Sequence, residues 1–305
     1  MNDVLQPGEL EPPKGEIPFL LAPGPDDLFA SRGRRFLTLA ENHPLGDYLR
    51  FMGLLARAQQ STLASFSRPA APTAAHLDHC RAGRLPPLGV LGWRRDSVWR
   101  DGLARILAVL EEDGLPDGVR NTAARLRRAE VKELEDFAVS ILNHDLTGVP
   151  AEVVPFTAAA LQVYWTALAA TLKAGNPLRL ERHNLCPVCG SLPVAGLVRG
   201  GGRENGLRYL CCSLCASQWH MVRGICSNCA ATKGITYFSI EGQPGVVTAE
   251  SCDECHGYLK IVRLEKDPLA DPVADDLATL SLDLLLDRSG RRRCGANLLF
   301  HPGNG

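Results

Sequence analysis

Eight of the eleven cysteines fall into four Cys-x-x-Cys pairs: Cys186/Cys189, Cys212/Cys215, Cys226/Cys229 and Cys252/Cys255. Two thiolates three positions apart fit on one tight turn with both sulfurs converging on one ion, and a second such turn closes a tetrahedron around it. The first two pairs are separated by 22 residues, as are the last two, and each cysteine of the first set recurs 40 residues later. A fixed period is the trace of one structural unit used twice. Each half, C-x2-C-x22-C-x2-C, is close to the spacing of a four-cysteine metal site. The expected chemistry is therefore two bound ions. One is assigned to Cys186, Cys189, Cys212 and Cys215, the other to Cys226, Cys229, Cys252 and Cys255.

Other uses of eight cysteines fit less well. Disulfides need an oxidising compartment, and Met1 to Lys14 is polar and proline-rich, without the apolar core of a secretory leader. A dithiol oxidoreductase needs one reactive pair in a βαβ setting, not four pairs in register. Cys211 adjoins Cys212 and competes with it as a ligand, but Ser251 stands at the equivalent place of the second half, so the register favours Cys212. Cys80 and Cys294 read as plain thiols, and His220 and His256 as neighbours of sites that already have four sulfurs. His76-x-x-His79-Cys80 offers three soft groups without a fourth and reads as part of a short helix.

Hairpins must deliver these turns. Val194–Val198 runs to a tip at Gly200-Gly201-Gly202 and returns through Leu207–Leu210; Ile235–Ile240 turns at Glu241–Gly245 and returns through Val246–Thr248. Apolar runs, several of them β-branched or aromatic, broken by Gly/Pro clusters are the strand–turn–strand signal. The halves read as tandem rubredoxin-like or zinc-ribbon modules over 181–222 and 223–264. Gly190 follows the first pair and can take positive φ. Ala216, Ala230 and His256 follow the others, so those knuckles are expected to be looser.

The rest of the chain reads as the support. Residues 1–25, with six prolines, form an extended lead-in in which Phe19-Leu20-Leu21 can dock on the body. Residues 26–180 carry helical stripes: Leu28 to Leu39, Leu45 to Leu63, Leu103 to Leu110, and one long helix from Val119 to Ile141. Pro155 to Thr171 is apolar almost all round; Gln162 and its threonines favour the central helix of a bundle over a membrane span. Residues 265–305 begin with a helix in which Asp271 is the N-cap and Pro272 the first position. Its leucines, Leu277, Leu280, Leu282, Leu284 and Leu285, are expected to pack back on the body or on the modules. The fold class is thus α+β: an all-α N-terminal domain, then two metal modules and a C-terminal helix.

With 305 residues, 45% hydrophobic and 22% charged, the composition is that of a globular protein. Residues 186–262 hold six Lys/Arg and five Asp/Glu. Two divalent ions on eight thiolates take this +1 to about −3, which disfavours a nucleic-acid adaptor. No Ser/His/Asp order, phosphate loop or paired-acid site stands out, so an enzyme is not expected. The oligomeric state stays open.

Four features stand together in this order: His43-Pro44-Leu45-Gly46-Asp47-Tyr48-Leu49; Cys186-Pro187-Val188-Cys189-Gly190 with the four pairs; Cys212-Ser213-Leu214-Cys215-Ala216 running into Trp219-His220; and Asp271-Pro272-Val273-Ala274-Asp275-Asp276-Leu277-Ala278-Thr279-Leu280. In these the chain resembles the formate dehydrogenase accessory proteins of the FdhE family. The resemblance implies a cytoplasmic bacterial maturation factor that contacts the catalytic subunit of a molybdenum-dependent formate dehydrogenase. It also implies iron, one ion on each set of four cysteines, with zinc as the alternative occupant. A rubredoxin-like electron carrier and a zinc-ribbon adaptor are the rival readings.

Overall fold

The computed structural model describes residues 17–65, 69–111, 115–172, 179–201 and 204–301. The lead-in through residue 16, Gly114, Gly202 and the last four residues of the tail lie outside these ranges.

Among the described residues seven α-helices build the body: α1 (Leu28–Leu39), α2 (Gly46–Ser65), α3 (Ala74–Ala82), α4 (Val98–Glu111), α5 (Asp117–Arg128), α6 (Val131–Leu142) and α7 (Val154–Thr171). α7 is the axle. It is the one helix among the described residues long and apolar enough to cross a membrane, but 89% of its apolar window is buried, and α2, α4 and α6 pack around it. Burial on all sides accounts for its composition. The single helix expected over Val119–Ile141 is two. Ala129 and Glu130 are extended, with ψ of 139° and 152°. Each half keeps its own apolar stripe, and a stripe alone does not report a two-residue break containing neither Gly nor Pro.

Among the described residues the metal modules share one eight-stranded sheet. The first contributes β2 (Pro193–Val198), β3 (Arg208–Cys212) and β4 (Gln218–His220); the second contributes β5 (Ile235–Phe238), β6 (Val247–Cys252) and β7 (Gly257–Arg263). Within each module the strands are antiparallel; between modules, β2 and β7 pair in parallel, Gly196 opposite Ile261. The lead-in adds β1 (Leu20–Leu21), antiparallel to β4, so its described end is an edge strand of the first module. One main core runs unbroken from Phe36 and Trp165 to Leu214 and Cys215, whereas Ala249, Tyr258, Leu282 and Leu286 form a small separate one under the second hairpin.

The C-terminal helix breaks at Thr279 (φ −118°, ψ 33°) into α8 (Ala274–Ala278) and α9 (Leu280–Arg288), followed by β8 (Arg292–Arg293) beside β7. Asp271 caps the turn before α8: its Oδ1 accepts from the amides of Val273 (2.9 Å) and Ala274 (2.8 Å). α8 packs on α1 and α2, and α9 supplies Leu282 and Leu286 to the small core. Leu284 and Leu285 stay exposed, at 64% and 52%, contrary to the expectation that they pack inward; the break rotates them off the apolar stripe. The acids at the start of this segment are ion-pair anchors. Asp271 meets Arg32 (3.1 Å) and Asp275 meets Arg35 (2.6 Å), while the buried Asp276 takes Lys260 (3.3 Å) and Arg293 (2.6 Å). α8 therefore clamps the helical body to the sheet.

Candidate metal centres

The structure gathers the eight paired cysteines into two groups, Cys186, Cys189, Cys212 and Cys215, and Cys226, Cys229, Cys252 and Cys255, each with its four sulfurs within 4.8 Å of one another. Sulfur separations are 3.6 Å (Cys186–Cys215) and 3.3 Å (Cys189–Cys212) in the first group. In the second they are 3.8 Å (Cys226–Cys255) and 3.7 Å (Cys229–Cys252). A tetrahedron with metal–sulfur bonds of about 2.3 Å has an edge of about 3.8 Å. A disulfide, at about 2.05 Å, is far shorter. Both donor sets fit a closed, four-sulfur ion site.

The four turns share one backbone conformation. Gly190 (φ 75°), Ala216 (58°), Ala230 (62°) and His256 (53°) all take the left-handed region. The knuckles without glycine are thus not looser in backbone. The Gly190 amide donates to the Cys186 carbonyl (2.8 Å) and the Ala230 amide to that of Cys226 (3.0 Å). The amides of Leu214 and Cys215 each lie 3.4 Å from Cys212 Sγ, and that of Asn228 lies 3.4 Å from Cys226 Sγ. Closing the turn around the sulfurs outweighs the left-handed penalty of a Cβ. Ala216→Gly is expected to stabilise the loaded protein by about 1 kcal/mol, seen as a higher denaturation midpoint with unchanged slope.

The two centres differ in their surroundings. All four cysteines of the first are at most 2% exposed. The segment before α4 closes one side: the amides of Leu88 and Val90 donate to the carbonyls of Val188 (2.9 Å) and Cys189 (3.0 Å). α7 closes another, where Gln162 Nε2 donates to the Ser213 carbonyl (2.8 Å) and Gln162 Oε1 accepts from Gln59 Nε2 (3.0 Å). Gln162, the one amide side chain on α7, is the residue through which that helix serves this centre. In the second group Cys226 and Cys252 are buried, Cys255 is half-buried and Cys229 is exposed. Asn184 bridges the two centres through Asn228 (3.2 Å), and Arg291 holds the Cys252 carbonyl (2.9 Å) and Asp253 (2.6 Å).

Burial lifts the Cys186 and Cys212 thiols well above their usual value. It also opposes charge on Cys189, but hydrogen bonds from Cys186, Cys212, Cys215 and Ser191 outweigh it and hold that thiol well below. Loading the first centre must therefore displace protons from Cys186 and Cys212, and affinity falls in acid. At the second centre burial again opposes ionisation, yet hydrogen bonds from the Asn228 side chain and the Gly257 amide bring Cys255 to about 7.

Cys211 stands apart from the first group, buried on β3, and burial pushes its thiol up to about 12. His76, His79 and Cys80 form no third group among the described residues. His76 Nε2 bonds the Pro87 carbonyl (2.8 Å), Cys80 Sγ lies 3.4 Å from the same nitrogen, and His79 is exposed. His220 stacks edge-on against Tyr209.

The sequence also missed Arg208. Its guanidinium, 1% exposed, pairs with Glu250 of the second module and donates to the carbonyls of Met221 (3.3 Å), Val222 (2.5 Å) and Ile225 (2.8 Å), which make up the link between modules.

Models of the FdhE N-terminal, central and C-terminal domains match residues 17–181, 185–223 and 225–300. The chain belongs to the FdhE family. The FdhE homolog of Pseudomonas aeruginosa is 43% identical over 98% of both chains, and FdhE of Escherichia coli K12 is 39% identical over 95% of this chain and 93% of that one. The crystal structure of the FdhE protein from Pseudomonas aeruginosa superimposes with a TM-score of 0.86 at 42% identity, covering 94% of this chain and all of the other. The order of elements around the two FdhE cysteine groups is therefore that of a solved family member.

Proposed function

We propose that this chain is a cytoplasmic maturation factor for respiratory formate dehydrogenase that binds the molybdenum-dependent catalytic subunit and holds two iron ions. Cys186, Cys189, Cys212 and Cys215 ligate one; Cys226, Cys229, Cys252 and Cys255 ligate the other. Zinc is the alternative occupant, because sulfur-rich sites accept either ion. Bound iron would supply one-electron chemistry; the chain's own residues hold, shield and neutralise it. In this reading 26–180 is the body, 181–222 and 223–264 are the metal modules, and 265–305 is the clamp. Four-sulfur coordination leaves no position for a substrate, so the protein acts on its client by binding and not as an enzyme.

The observation that carries this reading is the asymmetry of the centres: one locked into the main core, the other with Cys229 at the surface. Family membership supports the client. The test is to capture a tagged chain, without air, from cells making the catalytic subunit. The native chain is expected to retain that subunit, and Cys229→Ser/Cys255→Ser to lose it with its helical circular dichroism intact. Absence of the subunit from both eluates contradicts the client; its retention by both contradicts the part played by the second centre.

A further inference from the structure

The 40-residue repeat lets the two centres be compared position by position, and they differ at one place beside the last ligand. In the first module Ser217 follows two residues after Cys215, and its Oγ lies 3.3 Å from the Cys215 sulfur. The equivalent residue after Cys255 is Gly257, which has no side chain to offer. The space is filled from elsewhere. Cys294 Sγ occupies the position a Cβ at residue 257 would need, and Cys255 Sγ is 3.2 Å from that same point. The two sulfurs flank one missing side chain.

Cys294 is held there by the backbone. Its amide donates to the Tyr258 carbonyl (2.8 Å), and the Arg292 amide donates to that of His256 (2.8 Å), so β8 brackets the knuckle that carries Cys255. Cys294 also lines a cavity of about 10 Å³ together with Cys226, Cys252 and Gly257. It thus shares that space with two ligands of the second centre, and its sulfur and that of the third, Cys255, both lie within 3.2 Å of one point beside Gly257. The fourth, Cys229, is exposed.

We propose that Cys294 is a reserve ligand of the second centre, which replaces Cys255 when that half-buried thiolate leaves the ion. This rests on the reading of the second group as a metal centre. With an ion bound, Cys294 would give its thiol proton to solvent on becoming a ligand, and Cys255 would leave as a thiolate and take up a proton. No electron moves, and the ion keeps four sulfurs throughout the cycle. The first centre, with a serine hydroxyl at the equivalent place, has no such reserve and is instead closed by burial.

The test loads the metal-free full chain with cobalt(II) without air and reads its sulfur-to-metal charge-transfer absorption, which grows with each bound thiolate. The native chain binds two ions with four-sulfur spectra; fewer than two overturns the metal-centre reading itself. Cys255→Ser is expected to keep both ions and the four-sulfur intensity. Cys255→Ser/Cys294→Ser is expected to lose one sulfur's intensity and to bind the second ion at least about tenfold more weakly. Identical spectra and affinities for the single and double variants, with two ions in the native chain, overturn the reserve role alone. If Cys255→Ser does not fold, Cys294→Ala in the otherwise native chain decides. Release of the second ion to a chelator should quicken about tenfold with the first unchanged, and an unchanged second rate overturns the proposal.

Discussion

Replacing Cys186 and Cys189 by serine is expected to remove one ion per chain and to take the helical body down with it. The first centre lies inside the main core, between α7, the Leu88–Val90 segment and the sheet, with its cysteines among the core residues. A structural four-cysteine ion contributes on the order of 10–16 kcal/mol to the fold that creates its site. Whole domains are stable by only about 5–15 kcal/mol. Without the ion, the two remaining thiols and two new hydroxyls stay buried with no partner worth their desolvation, and Gln162 is left satisfying a knuckle that no longer closes. The measurement is a thermal melt of the helical circular dichroism: the cooperative transition should vanish or fall by tens of degrees. The matched change at Cys226 and Cys229 should also remove one ion but leave that transition in place, because these cysteines lie outside the main core and their hairpin also draws on a small core of its own. Equal losses from the two changes contradict this division of labour.

Arg208→Met is expected to cost about 3–5 kcal/mol, the penalty for leaving one member of a buried ion pair without its partner. Glu250 is 4% exposed in its side chain and would keep Tyr237 Oη (2.8 Å) as a partner. The three carbonyls of the inter-module link lose their shared donor as well. In a chain of this size the shift amounts to about 10 °C in the melting midpoint. Removing both charges in Arg208→Met/Glu250→Leu should restore more than half of it, since the uncompensated carboxylate is then gone. A double variant no better than the single would assign the loss to the link carbonyls instead.

The centres were legible because ligand chemistry is written in residue type and spacing. Cys-x-x-Cys places two sulfurs on one turn, and the 40-residue period separates Cys212 from its rival Cys211. The helical body was legible through apolar stripes, and α7 through its unbroken apolar surface. What stayed hidden depends on long-range partners. Nothing local to Gly196 or Ile261 announces that they meet in a parallel pair and fuse two hairpins into one sheet. The left-handed turns at Ala216, Ala230 and His256 are imposed by closure around the sulfurs, against the residues' own preference. Arg208 looks like any strand arginine until Glu250 is brought opposite it. Leu284 and Leu285 mislead in the other direction, since their apolar character suggested burial that the break at Thr279 denies them.

The most direct test of two four-sulfur centres is metal analysis combined with X-ray absorption on the native chain purified without air. Two ions per chain are expected, each with a first shell of sulfur alone at about 2.3 Å. Fewer than two ions with these cysteines joined as disulfides, or nitrogen and oxygen in the first shell, would contradict it.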